Sequence, residues 1–482
     1  MQLLKHSAVY GLGSIASKLM AILLLPLYVR YLDPSDYGTA EAVMTIDLFT
    51  VALVKLGLQN SMMRFYFDGP DDDGGAHGRL VVRTVLTTML ATTIVGSLIL
   101  VVASRPLAEF FFRDASMYHF IWIAAFGMWC STIWSTLTAT LRLEKRPKPF
   151  ALLSLANIGT SALLTVLFVV VLQWGATGLL LGNFLGTFVL IPVVGILQRH
   201  FVRLSRGRGL LGDMIRFGLP TTPMAIANQG LSMIDRTVLA RTAGLTSLGL
   251  YGLASRMSQV VMLCVIALQL SWQPFAYSLK DDDDAKKTYA LVMTYFTASI
   301  GWLVVTVGLL ADPVVRLLTV PEYFEAARAV PVLTLSAGVY GIYFIAGIGA
   351  GRVKKTNYHF AVALAALVVS LTANLLLVPR WGYMGSACAA LAANATLSFA
   401  MVVRSQHVFP VPYHWRRLAT TVLVVAAGVS LALLLPHGPG TDETLPIRLG
   451  AACAYPLILL GLGFFPRTER RAIVRRLRRR NA

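Results

Sequence analysis

The sequence predicts an all-α membrane protein with about fourteen transmembrane helices, and three observations lead to this prediction. The chain of 482 residues is 56% hydrophobic and only 13% charged, with a mean hydropathy of +0.68. Its apolar runs reach about 20 residues, the length that a helix needs to cross a hydrocarbon core of ~30 Å. The runs are continuous rather than alternating, which favours helices over the strands of a barrel.

The apolar runs recur along the whole chain and leave no polar stretch long enough for a soluble domain. The predicted helices lie at about 7–30, 38–63, 80–103, 118–141, 150–172, 176–198, 215–240, 248–277, 288–311, 330–350, 357–378, 384–403, 418–436 and 447–465. The first run contains Lys18 and has no small-residue cleavage site, so we expect a helix there rather than a signal peptide. The four cysteines lie in apolar runs at unrelated spacings, which predicts packing rather than a disulfide or metal site.

The distribution of basic residues predicts that both termini are cytoplasmic. Most of the 42 Lys and Arg residues fall in alternate loops and in the C-terminal tail, as is typical of cytoplasmic segments. An even number of helices is then required. The same bias accounts for most of the net charge of +19, so the basic character does not indicate nucleic-acid binding. We expect the tail to lie on the anionic lipids of the inner leaflet.

The longest basic loop predicts the division of the chain. An N-lobe of six helices at 1–199 precedes a cytoplasmic linker at 200–214, and a C-lobe of six helices follows at 215–405. Two extra helices at 406–466 and the basic tail at 467–482 complete the prediction.

A weak internal repeat supports two similar lobes. Tyr37-Gly38-x-Ala40 lies between the first and second helices of the N-lobe, and Tyr251-Gly252-x-Ala254 lies at the corresponding place in the C-lobe. Because both copies have the same orientation, the repeat predicts a parallel duplication about an axis along the membrane normal. Two such lobes facing each other would enclose a central cavity.

Several motifs carry a resemblance to a known family. They are the opening GLGSIASKLMAILLLPLYVRYLDPSDYG, Asp235-Arg236-x-x-Leu239, Gly249-x-Tyr251-x-x-Ala254-x-Arg256 and Trp272-x-Pro274. Together they resemble the Wzx-type, polysaccharide-export branch of the multidrug/oligosaccharidyl-lipid/polysaccharide exporter superfamily, over nearly the whole chain.

The resemblance implies a function and a location. It implies a flippase of the bacterial inner membrane, with a cationic cavity and alternating access for a polyprenyl-pyrophosphate-linked oligosaccharide used in cell-surface polysaccharide biosynthesis. A polysaccharide polymerase and export machinery would be its partners, besides membrane lipids. The resemblance does not identify the sugar that is carried, because family sequences diverge widely.

Charged residues inside the predicted helices are the candidates for a substrate site. An ionised side chain at the bilayer centre costs at least ~2.5–3.5 kcal/mol, so each requires a partner or a wet cavity. A diphosphate needs charge-assisted donors. We therefore expect substrate binding by the cationic residues Lys18, Lys55, Arg64, Arg236 and Arg256, with Asp47 and Asp235 as charge partners or ion-coupling groups. A structural salt bridge is the alternative for Lys18, Lys55 and Arg256. Packing between the lobes is the alternative for Asp235 and Arg236, and bonding between helices is the alternative for Arg64.

No cofactor, metal or catalytic residue is predicted. Two acidic runs, at 71–73 and 281–284, lie in short inside loops, and their aspartates are expected to be solvated rather than to bind magnesium. The sequence has no nucleotide-binding loop of the G-x-x-x-x-G-K-S/T type.

Three other functions remain open at this point. A drug or cation antiporter of the same superfamily would share the lobes, although such proteins usually stop at twelve helices and a cationic lining suits anions. A membrane glycosyltransferase or polymerase would use Asp33 and Asp36 in the first outside loop, but the outside loops are short and YLDPSDYG is typical of a turn. A noncatalytic assembly partner of the export machinery is the third.

Overall fold

The computed structural model describes residues 20, 24–68, 75–202, 207–353, 357–436 and 441–464, and it confirms the all-helical class. Lys18, the acidic run at 71–73 and the basic tail lie outside these residues. The helices are α1 (Leu25–Tyr28), α2 (Pro34–Val54), α3 (Leu58–Phe65), α4 (Ala76–Val102), α5 (Ser104–Phe112), α6 (Tyr118–Leu143), α7 (Pro147–Val166), α8 (Gly175–Leu197), α9 (Arg208–Gly218), α10 (Thr222–Ser278), α11 (Asp282–Leu309), α12 (Ala311–Leu318), α13 (Val330–Arg352), α14 (Asn357–Val408), α15 (Trp415–Leu434) and α16 (Thr441–Gly461).

Within the described ranges, 11 helices are long and apolar enough to cross a membrane. Two long helices, α10 and α14, each contain a glycine with non-helical dihedral angles, Gly244 (φ 85°, ψ 171°) and Gly382 (φ 54°, ψ −132°). Both glycines fall between two segments that the sequence separates, and each of the thirteen predicted segments after the first overlaps a helix. The count of fourteen and the orientation stay predictions.

The second predicted segment differs from the structure. The helix begins at Pro34, because the Asp33 carboxylate caps it by accepting a hydrogen bond from the Asp36 N–H at 2.7 Å. It ends at Val54, and Gly57 takes a left-handed conformation (φ 67°) before α3 begins. A Cβ atom on Gly57 would lie 2.0 Å from the carbonyl oxygen of Gly218, so a close backbone contact requires glycine at this break.

The chain separates into two compact units. Unit 1 comprises the described residues within Met1–Leu253 and Ala363–Ala389, and unit 2 those within Ala254–Val362 and Ala390–Ala482. In these units, 215–253 and 363–389 group with the N-terminal helices. The two six-helix lobes at 1–199 and 215–405 stay a prediction.

In unit 1, α7 and α8 pack closely against each other. Cβ atoms on Gly182 and Gly186 would lie 2.4 Å from the Cα atoms of Thr165 and Ser161. The absence of side chains at these two positions lets the helices approach closely, as small residues do at membrane helix interfaces.

In unit 2, α11 packs against α13, α15 and α16. The side chain of Arg448 on α16 is fully buried and joins three segments. It donates to the carbonyl oxygens of Leu309 at 2.9 Å and Pro436 at 2.8 Å, and to the Thr444 hydroxyl at 3.0 Å. Arg448 thus caps the C-terminal end of α11 and fixes the last helix to it.

We expect Arg448→Met to lower the melting temperature of the purified protein. The substitution leaves the buried Leu309 carbonyl without this donor, at a cost of about 1–3 kcal/mol, and also removes the bond to the Pro436 carbonyl. Thermal unfolding in detergent measures the effect. Arg380→Met, at an exposed arginine, is the matched control. Equal melting temperatures for the two variants would contradict a clamp at Arg448.

Candidate functional site

Asp47 lies in α2, and Lys55 directly follows the last residue of this helix. Asp47 is 5% exposed, and its Oδ2 accepts a hydrogen bond from the Ser131 hydroxyl at 3.2 Å. Its Oδ1 has no hydrogen-bond partner within the described residues. The half-buried Lys55 is attracted electrostatically by Asp47 and repelled by Arg142. Lys18 lies outside the described residues.

Lys55 adjoins an apolar groove in unit 1. Val54 and Leu56, on either side of it, line this groove together with Val95 and Ile99 of α4, and its volume is about 450 Å³. The hydroxyl of Thr50, which also lines the groove, donates to the Ile46 carbonyl within its own helix. The groove can therefore accept a hydrocarbon chain without leaving that hydroxyl unpaired.

Asp235 lies at the centre of a buried polar cluster in unit 1. Its carboxylate accepts hydrogen bonds from Asn374 Nδ2 at 2.7 Å, the Ser370 hydroxyl at 3.1 Å and the Tyr251 hydroxyl at 3.4 Å. Ser386 donates to Asn374 Oδ1 at 3.2 Å and completes the cluster. All of these donors are neutral. The arrangement can hold a proton or a small cation, which would remove the cost of an uncompensated charge in a dry interior.

The neighbouring Arg236 points to a different helix. It forms an ion pair with Glu41 of α2, with 3.4 Å between Nη2 and Oε2. The two side chains are 20% and 6% exposed. Arg236 Nε has no hydrogen-bond partner in the part of the chain that the structure describes. Adjacent residues on a helix point about 100° apart, which explains why Asp235 and Arg236 serve separate contacts.

Two further cations, Arg64 and Arg256, were predicted for the site. Arg64 on α3 is exposed and pairs with Asp68 one helical turn away. Arg256 is half-buried and belongs to unit 2. Of the predicted cations in unit 1, the structure thus pairs Arg64 with Asp68 and Arg236 with Glu41.

Sequence reasoning missed several members of these clusters. Glu41 is an acidic residue within an apolar helix, so the rule that selected Asp47 could have selected it as well. Asn374, Ser370 and Ser386 are single polar residues in apolar runs, and only the fold shows that they meet at Asp235. The sequence does not select Arg142, whose charge acts on Lys55, as a site residue.

The aspartates of the second acidic run lie at the start of α11. Asp281 caps the helix by accepting from the Asp283 N–H at 2.8 Å, and Asp282 pairs with Arg352 at 2.8 Å. No group of three or more His, Cys, Asp or Glu residues that could hold a metal occurs in the described ranges. The run therefore starts a helix, where acidic side chains are favoured.

The aspartates considered for a glycosyltransferase also have structural contacts. Asp33 is the cap of α2. Asp36 accepts a backbone hydrogen bond from Ala176, next to Gly175 at the start of α8.

A sequence comparison matches a family and one curated relative. The profile of the family described as "Polysaccharide biosynthesis protein" matches residues 27–328. A protein of the Lsg locus of Haemophilus influenzae is 23% identical over 287 residues, which are 58% of this chain and 66% of that protein. The match thus spans slightly less than two-thirds of the relative's length.

Solved structures with a similar fold are membrane transporters. The lipid II flippase MurJ in an inward closed conformation has a TM-score of 0.73 and 12% identity, over 94% of this chain and 98% of that one. An inward-facing multidrug resistance MATE family transporter has a TM-score of 0.66 and 14% identity, over 84% and 96%. At these identities the likeness establishes the fold alone.

We expect Asp235→Asn to keep the protein abundant in the membrane while lowering the amount of polysaccharide that the cells make. The amide still accepts from Asn374 and Ser370, but it cannot exchange a proton or hold a cation. Immunoblotting and a polysaccharide assay measure the two quantities, with Asn374→Leu as the variant expected to lose abundance. Polysaccharide at the wild-type level in Asp235→Asn would assign the carboxylate a structural role only.

Proposed function

The chain belongs to the polysaccharide biosynthesis protein family, and from that premise we propose that it is a flippase for a polyprenyl-pyrophosphate-linked oligosaccharide. It moves this lipid from the cytoplasmic to the periplasmic leaflet of the bacterial inner membrane by alternating access. The family match and the transporter fold agree with the resemblance seen in the sequence. Both of its solved structural relatives named above are transporters, and one is described as a flippase.

The observation that carries the proposal is an apolar groove in unit 1 whose lining includes both chain neighbours of a basic residue. Lys55 stands between two residues that line the groove, and Arg142 is close enough to act on its charge. A polyprenyl diphosphate has the complementary chemistry, with a hydrocarbon chain joined to an anionic head. Charge-assisted contacts to the phosphate oxygens would hold the head at Lys55 while the chain lies in the groove.

A drug or cation antiporter is the second candidate function, because the MATE family shares this fold. The partly buried carboxylate of Asp47 favours it, since a cation could bind there. The family match is to polysaccharide biosynthesis, and the basic residues Lys55, Arg142 and Arg236 favour an anion. A polysaccharide polymerase and export machinery are the proposed partners.

We expect Lys55→Ala and Arg256→Ala each to reduce glycan export at least about tenfold, with abundance near wild type. A hydrogen bond to a charged group contributes about 1.5–3 kcal/mol, and ~1.4 kcal/mol corresponds to a factor of ten. Arg256→Lys should keep part of the activity, because lysine retains the charge but lacks the bidentate fork. Export of surface polysaccharide and the amount of protein in the membrane are measured together.

Two outcomes would contradict this assignment. Abundance that falls in step with export would indicate a structural salt bridge. Normal export would remove the substituted residue from the substrate site. Lys287→Ala is the matched control, since Lys287 is a basic residue of the sequence outside the proposed site.

Purified protein in liposomes should flip its lipid faster under an inside-negative potential. A lipid diphosphate carries at least two negative charges, and its outward movement would gain about 4–5 kcal/mol at 100 mV, from ~2.3 kcal/mol per charge. A potassium diffusion potential, with substrate loaded on the inner leaflet, provides the test. The flipping rate could instead stay the same at every potential and rise with a proton or sodium gradient. That result would contradict a potential-driven step and would indicate coupled antiport.

A further inference from the structure

Unit 2 contains a second apolar groove, in the place that corresponds to the groove of unit 1. We call the groove between α2 and α4, beside Lys55, groove 1, and the groove between α10 and α11 groove 2. Their volumes are about 450 Å³ and about 540 Å³. Both values fall in the range of about 300–1,000 Å³ that is usual for ligand sites.

The internal repeat relates the first wall of one groove to that of the other. Thr50 and Val54 line groove 1, and they follow the tyrosine of the first Tyr-Gly-x-Ala copy by 13 and 17 residues. Cys264 and Leu268 line groove 2, and they follow the tyrosine of the second copy by the same 13 and 17 residues. The same face of the duplicated helix therefore forms a groove in both halves of the chain.

The facing helices also contribute lining residues with one spacing. Three successive pairs of neighbours, each one helical turn after the last, begin at Ala91 in α4 and at Leu291 in α11. The residue types at these positions differ between the two grooves. A groove that persists while its lining changes is a property of the duplicated fold rather than of one local sequence.

The lining of groove 2 suits a hydrocarbon chain. Its walls belong to helices long and apolar enough to cross a membrane. The indole N–H of Trp302, which lines the groove, donates to the Ala452 carbonyl at 2.9 Å and needs no partner from a ligand. Lipid tails are as apolar as leucine, so a chain gains little hydrophobic energy when it leaves the bilayer for a groove. The choice among lipids therefore depends on charge at the end of the groove.

The basic residues beside the two grooves lie at opposite ends. Lys55 stands at the C-terminal end of groove 1. Arg256 lies N-terminal to groove 2, eight residues before Cys264, which is ~12 Å along the helix axis. The repeat places Gln269 at the position of Lys55 and Ala42 at the position of Arg256. Each half thus has one of the two cations and lacks the other.

The predicted topology assigns a leaflet to each end. The predicted second and eighth helices both run from the outside to the inside. Lys55 is then on the inner side of groove 1, and Arg256 is on the outer side of groove 2. A lipid of the inner leaflet has its head toward the cytoplasm, and a lipid of the outer leaflet has its head away from it. Groove 1 therefore matches the lipid before it is flipped, and groove 2 matches it afterwards.

We propose that groove 2 holds the polyprenyl chain of the substrate after flipping, with the diphosphate at Arg256, whereas groove 1 and Lys55 hold the lipid before flipping. The inference rests on the proposed function and adds a release site to it. A guanidinium binds a diphosphate through parallel hydrogen bonds, and the phosphate of an ordinary phospholipid carries less charge. Arg256 also interacts with other residues of the protein, but its five N–H donors allow a contact with the protein and one with a phosphate together.

The test maps where a photoreactive lipid is held. Undecaprenyl diphosphate with a diazirine in its chain is added to inverted membrane vesicles, whose exposed leaflet is the cytoplasmic one. After illumination, mass spectrometry separates crosslinks to residues 91–100 of groove 1 from crosslinks to residues 291–303 of groove 2. We expect crosslinks to groove 1 at short times and to groove 2 at longer times. Crosslinks that reach groove 2 first, or never, would overturn the inference.

Substitution of the two cations should affect the grooves differently. Arg256→Ala should lower crosslinking to groove 2 at least about tenfold and leave groove 1 unchanged, because the contact with the lipid head is lost. Lys55→Ala should lower both, since loading precedes release. Gln269→Lys adds a cation to the inner end of groove 2 and should give crosslinks there at short times. Equal effects of Arg256→Ala on the two grooves would contradict a release site.

Cys264→Trp tests the groove itself. Cys264 is exposed, so an indole at this position occupies the space of the chain. We expect glycan export to fall at least about tenfold, with crosslinks to groove 1 and abundance in the membrane near wild type. Cys453→Trp, at another exposed cysteine of unit 2, is the matched control. Equal export in the two variants would overturn a role of groove 2 in transport.

Two further results separate the occupant from the proposed function. Phosphatidylglycerol with the same diazirine should crosslink to groove 2 at least about tenfold less than the diphosphate does. Equal crosslinking would assign the groove to bilayer phospholipid and overturn the inference. Glycan export without any crosslink to groove 2 would overturn it as well and leave the proposed function intact. Crosslinks to both grooves as expected, without glycan export by the same protein, would refute the proposed function alone.

Discussion

The cost of an ionised side chain in a dry, apolar interior governs how the charged residues of this protein are arranged. Three buried charged groups show three ways in which this cost is offset. Arg448 meets backbone carbonyls that a helix end leaves unpaired, Asp235 meets only neutral donors, and Glu41 and Arg236 neutralise each other. The carbonyl partners of Arg448 are fixed parts of helix ends and favour a permanent contact. The partner of Arg236 is the carboxylate of Glu41, so the two charges compensate each other between helices.

Close helix approach has different consequences at two places in unit 1. Between α7 and α8, the hydroxyls of Thr160 and Ser161 donate to carbonyls of the facing helix at 3.1 Å. Separation of these helices would break neutral hydrogen bonds in lipid, where no water replaces them. Between residues 34–41 and 245–252, a Cβ atom on Gly38 or Gly249 would lie 1.9 Å or 1.8 Å from a carbonyl oxygen of the facing segment. This approach therefore depends on two glycines rather than on hydroxyl groups.

The sequence predicts the fold class and most of the helices because lipid imposes length and composition on every crossing. It does not predict the break after Val54, since the left-handed Gly57 is required by a contact with residue 218 that is distant in sequence. The candidate site is predicted in part. Intramembrane charge identifies Asp47, Lys55, Asp235 and Arg236, but it does not identify their partners. The Ser370 hydroxyl and the Asn374 amide at Asp235 come from another helix, α14, and a polar residue in an apolar run does not specify its neighbour.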